Sequence, residues 1–130
     1  MKTQIYVLLF LIISFTGTTQ AQEIKIQQFD FAEAIEDRKP SGIDTVFTAD
    51  IGTIYCFTQV EGVSDTTQIT HEWYYKDEEK ARVDLTVAGD NWRTWSSKKI
   101  LESWTGSWRV MVLGPNGDVL ATKNFVITEN

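Results

Sequence analysis

The sequence is poor in the residues on which catalysis, metal binding and disulfide scaffolds depend. It has one cysteine, Cys56, so no internal disulfide can form and stability must come from packing. It has one histidine, His71, and one histidine with one cysteine is a meagre ligand supply for a zinc site. There is no acidic loop with ordered oxygen ligands, no phosphate-cradling glycine loop, no serine elbow and no metalloprotease helix. These absences argue against an enzyme, and no metal or other cofactor is expected. Positive charge is also scarce. Twelve Lys and Arg face 18 Asp and Glu, for a net charge of −6 and no basic stripe. That balance repels phosphate backbones and anionic membrane surfaces, which disfavours both as partners. The two prolines, Pro40 and Pro115, fall at expected turns.

The only long apolar run is at the N-terminus, MKTQIYVLLFLIISFTGTTQAQ. Lys2 precedes Ile5 to Phe15, and Thr19-Gln20-Ala21 has small residues three and one before a cleavage point. The run of about 11 residues is short against the roughly 20 that span a bilayer. Residues 1–21 therefore read as a secretory signal cleaved after Ala21, with no membrane span thereafter and a periplasmic or extracellular destination. Residues 22–130 then form a single domain of 109 residues, and losing Lys2 moves the net charge from −6 to −7.

Beyond residue 22 the chain alternates with period two. Strands are expected at 24–34, 45–47, 52–60, 69–76, 81–87, 92–100, 106–113 and 119–127. EDRKPSG, KDEEK, AGDN and GPNGD supply turns, and FAEAIED could form a brief turn of helix. Seven or eight short strands with turns every 8–12 residues or so suit an antiparallel, immunoglobulin-like β-sandwich, without the cysteine pair of antibody domains. Cys56, in the apolar segment TIYCFTQV, reads as a buried small hydrophobe.

The conspicuous presence is aromatic. All five tryptophans lie between Trp73 and Trp108. Alternation places His71, Trp73 and Tyr75 on one strand face, and Trp108, Val110 and Val112 on another. Trp108 and Trp73 read as core. Trp92 shares its face with Lys98, and Trp95 shares its face with Arg93, so these indoles are candidates for a cation-flanked surface. His71, Tyr75, Trp92, Arg93, Trp95 and Lys98 are the candidate ligand-binding residues. Glu72 points away from His71, so the two form no dyad, and nothing in the spacing brings Cys56 to His71.

Several pieces of the chain together resemble a known family. They are Arg38-Lys39-Pro40 with Gly42, then IYCFTQVEG, ITHEWYYKD, ARVDLTV, WRTWSSK and GSWRVMVLGPNGDVLATKNF. Their order, from Phe29 to Val126, is similar to the bacterial domain-of-unknown-function family 2914. The resemblance implies a small all-β domain of exported or membrane-attached bacterial proteins. It implies no activity, substrate or cofactor.

The expectation is a non-catalytic binding module in the bacterial envelope. Its aromatic and basic sheet face would meet a glycan or an envelope protein. The alternative is a structural or assembly subunit with the aromatics in the core and a sheet edge pairing with a partner. An enzyme using His71 ranks third.

Overall fold

The computed structural model describes residues 12–14 and 23–130. The expected signal segment and its cleavage point lie outside the described residues, apart from residues 12–14. Among the described residues the chain forms nine strands and a single 3₁₀ turn, Ala49–Ile51. The strands are β1 (Lys25–Glu36), β2 (Lys39–Ile43), β3 (Val46–Thr48), β4 (Thr53–Glu61), β5 (Thr67–Tyr75), β6 (Glu78–Val87), β7 (Trp92–Lys99), β8 (Gly106–Leu113) and β9 (Val119–Thr128). They build a four-stranded sheet in the order β2-β1-β4-β7 and a five-stranded sheet in the order β3-β9-β8-β5-β6.

The all-β sandwich expected from the alternation is present, with two differences. First, β3 runs parallel to β9, so the five-stranded sheet is mixed. Second, strands replace two segments read as turns and one read as a possible helical turn. FAEAIED continues β1, KPSGI is β2, and β6 begins at Glu78 rather than at residue 81. The cause is turn length. Asp37-Arg38 and Lys76-Asp77 each take positive φ at both residues, 49° and 61° in the first pair and 47° and 65° in the second. Two consecutive left-handed residues make the tight hairpin turn whose twist matches antiparallel strands. Each turn therefore consumes only two residues, and the charged neighbours join the ladders.

The core lies between the sheets. Ile54, Cys56, Thr58 and Val60 of β4 point inward from one side. Ile69, His71 and Trp73 of β5 point inward from the other, with Trp108, Val110 and Val112 of β8 beside them and Phe125 and Ile127 of β9 beyond. Rings do much of the filling. Phe31 lies 4.6 Å from Phe125, and Phe125 stacks on Trp108 at 5.6 Å. Large rings in tilted or edge contact add pairwise attraction to the area they remove from water. Trp73 and Trp108 are core, as alternation predicts.

Candidate functional site

The six candidate residues do not form one face. His71 is wholly buried between the sheets. Its Nε2 lies 3.1 Å from Thr58 Oγ1, and its Nδ1 lies 2.7 Å from Ser96 Oγ. Trp73 Nε1 donates to the same Ser96 oxygen at 3.1 Å. That indole can only donate, so the Ser96 oxygen accepts from it, and the neutral imidazole donates through one ring nitrogen and accepts through the other. The network ties β5 of one sheet to β4 and β7 of the other. Burial pushes the His71 pKa down from its ordinary 6.5 to about 4, so the ring is neutral at physiological pH. Burial also holds the Cys56 thiol well above its ordinary value, with a smaller opposing pull from Lys123. Neither group is offered to a ligand. The placement of His71 on a binding face is corrected for that reason.

Tyr75 and Lys98 both pack on Trp104, at one end of the sandwich. Tyr75 packs on Trp104 and Trp108 with ring centroids 6.1 and 5.0 Å away, and its hydroxyl donates to the Thr105 carbonyl at 2.7 Å. Lys98 and Lys80 each place an ammonium 5.3 Å from the Trp104 ring centroid. The indole is half-buried and the lysines lie against it as cations over a π face. This cluster closes the end of the core. Trp92 goes elsewhere. It is half-buried against Val60, Val63, Ile69, Val87 and Val112, and serves packing.

Arg93 and Trp95 point the other way, to the outer face of the four-stranded sheet. Trp95 pairs across the ladder with Phe57, and the two rings lie 6.4 Å apart and nearly parallel, at 12°. Phe57 is only 1% exposed although it faces outward. It floors a hollow of about 220 Å³ lined also by Gln28, Lys39, Pro40, Ile43 and Arg93. The apolar surface continues past the hollow. Ile43 also lines the neighbouring depression with Val46, and Val46 pairs with Val126. All three of these residues are exposed.

The outer face of the five-stranded sheet holds a second constellation. Glu72 is nearly buried there, accepting the Tyr74 hydroxyl at 2.6 Å with Arg82 at 3.6 Å. That hydrogen bond is the main cause raising the Tyr74 pKa above its ordinary 10, ahead of burial and nearby carboxylates. Arg109 lies over the Tyr74 ring at 4.7 Å and donates to Asp77 at 2.8 Å. Sequence reasoning did not single out these residues. The signal was present in the shared faces of Glu72 with Tyr74 and of Ser107 with Arg109. Four polar side chains of mixed sign on adjacent strand faces read as ordinary solvated surface. Among the described residues, no group of three or more His, Cys, Asp or Glu is arranged to hold a metal ion.

Residues 66–127 match the family described as "Protein of unknown function (DUF2914)". The match over that stretch supports the family resemblance read from the sequence. It takes in β5 to β9 and leaves β1 to β4 outside, so it is shorter than the Phe29–Val126 span of the resemblance. No curated protein matches the chain. Among solved structures it is similar to a GH3 beta-glucosidase of Bifidobacterium adolescentis, with a TM-score of 0.46 and 11% identity over 81% of this chain and 17% of that one. It is also similar to a beta-glucosidase of Kluyveromyces marxianus, with a TM-score of 0.42 and 14% identity over 82% of this chain and 14% of that one. The chain spans less than a fifth of either enzyme, and likeness at this level carries no inference about activity.

Proposed function

We propose that the chain is an exported, non-catalytic interaction module of the bacterial envelope, and that it docks a partner protein on the outer face of its four-stranded sheet. The observation that carries this is the 220 Å³ hollow beside the Phe57–Trp95 pair. Its floor is apolar, from Phe57, Pro40 and Ile43, and its rim is cationic, from Arg93 and Lys39. An apolar centre with tryptophan and arginine at its margin has the anatomy of an interface hot spot. The hollow suits one apolar side chain flanked by carboxylates. The exposed Ile43, Val46 and Val126 extend the apolar surface toward β3 and β9, which favours a protein over a sugar chain. Strand addition at the β2 edge is the less favoured mode, because Lys39 and Pro40 stand on that edge strand and oppose pairing. Catalysis by His71 with Cys56 is disfavoured because both are sealed in the core.

The test is retention from envelope extract on the immobilised exported protein at physiological salt. One protein species should be held by the wild type and lost from Trp95→Ala and Ile43→Glu, with far-UV circular dichroism unchanged. Equal retention by both variants would overturn the proposal. Displacement of the captured material by soluble glycan would transfer the face to a glycan partner.

A further inference from the structure

The Glu72–Tyr74–Arg109 constellation is not explained by folding alone. A nearly buried carboxylate on the outward side of a sheet is a costly place for a charge, and replacing such pairs by apolar residues is often neutral or stabilising. Its effect is positional. Arg82 and the Tyr74 hydroxyl hold Glu72. Glu72 in turn fixes the Tyr74 phenol, the phenol ring supports the Arg109 guanidinium at 4.7 Å, and Asp77 holds that guanidinium from the turn at 2.8 Å. Side chains locked in this way by neighbours on rigid strands are what a preformed binding site requires. Only one guanidinium nitrogen, Nη1, is engaged by Asp77, which leaves other donors of the fork free.

Arg109 borders a hollow of about 320 Å³ lined also by Tyr74, Lys76, Asp77, Ser107 and Asn124, with Trp108, Phe125 and Val126 as its apolar part. Arg109 brings a positive charge that Asp77 partly answers, while Lys76 borders the hollow with its ammonium over the Tyr75 ring at 5.2 Å. Ser107 and Asn124 bring a hydroxyl and an amide that can each donate and accept. A fork of N–H donors reads a carboxylate, and the hydroxyl with the amide reads neutral hydroxyls.

We propose that this hollow binds a sugar acid, with the carboxylate on Arg109 and the ring hydroxyls on Ser107 and Asn124. An acidic peptide would supply the carboxylate but not the adjacent row of hydroxyls. The site lies on the opposite sheet from Trp95 and shares Val126 with the margin of the docking surface, so it is tested by its own variants.

The experiment is calorimetric titration of the full exported chain with a short uronic-acid oligosaccharide. The comparison ligands are its neutral hexose counterpart, sodium acetate, and an acidic peptide of equal charge. The uronic acid should bind, with the neutral sugar and acetate at least about tenfold weaker, because each lacks one half of the contacts. Arg109→Gln should weaken binding by about tenfold or more, and Asn124→Ala by a smaller factor. Trp95→Ala should leave it unchanged. Should Arg109→Gln fail to fold, Asn124→Ala and Ser107→Ala, both exposed, carry the test. The proposal is overturned by absence of uronic-acid binding, by acetate or the acidic peptide binding as tightly, or by indifference to both Asn124→Ala and Ser107→Ala.

Discussion

Strands β5 and β7 are both rich in aromatic residues, THEWYY in one and WRTWSSK in the other, and the fold uses them in opposite ways. β5 is interior to its sheet, paired with β6 on one side and β8 on the other. Its inward residues Ile69, His71 and Trp73 are fully buried. β7 is an edge strand with β4 as its one ladder partner, and of its eight residues only Ser96 is buried. The same residue type therefore has a different role on each strand. Trp73 fills the core and donates to Ser96, whereas Trp95 leans on Phe57 with one side open to solvent. Position in the sheet decides whether an aromatic serves the fold or remains available to a partner.

The contrast can be broken hardest at Trp73. Trp73→Ala removes a fully buried indole and one of the two hydrogen-bond partners of Ser96, and should cost about 3–5 kcal/mol by chemical denaturation, enough to unfold a domain of marginal stability. Next is the histidine beside it. The folded pKa of about 4 lies below the ordinary 6.5, so the unfolded chain binds the proton first as pH falls. Stability is therefore full above pH 6.5 and is lost progressively down to pH 4, by about 3 kcal/mol from this residue. Urea midpoints should fall between pH 6.5 and 5, above the range where most carboxylates titrate, and His71→Gln should flatten that slope. On the edge strand the effects shrink. Trp95→Ala should cost only about 1–2 kcal/mol, because the indole is half-exposed. Lys98→Gln should cost about 0.5–1 kcal/mol, the scale of an exposed cation–π contact, and should redshift Trp104 fluorescence slightly as its cover loosens.

The period-two pattern made the sandwich legible, along with Trp73 and Trp108 as core and Cys56 as a buried hydrophobe. Both turns were legible but their tightness was not, because Asp37-Arg38 and Lys76-Asp77 turn the chain in two residues without glycine or asparagine, the usual marks of such turns. Strand order was not legible either, and it decided the site. Alternation put Trp92, Ser96 and Lys98 on one face of β7 and Arg93 with Trp95 on the other. Only the pairing of β7 with β4 showed that the first face turns inward and that the second meets Phe57. His71 looked like a surface candidate because a lone histidine carries no sign of its partners. Thr58 and Ser96, 13 and 25 residues away, supply them.

The most direct test sets the stability of Trp95→Ala beside its partner retention. The account predicts a urea midpoint lowered only by the loss of roughly 1–2 kcal/mol, far less than for Trp73→Ala, together with loss of the captured protein. A Trp95→Ala variant that unfolds as readily as Trp73→Ala, or one that keeps its stability and its partner alike, would contradict the assignment of β7's outer side to binding.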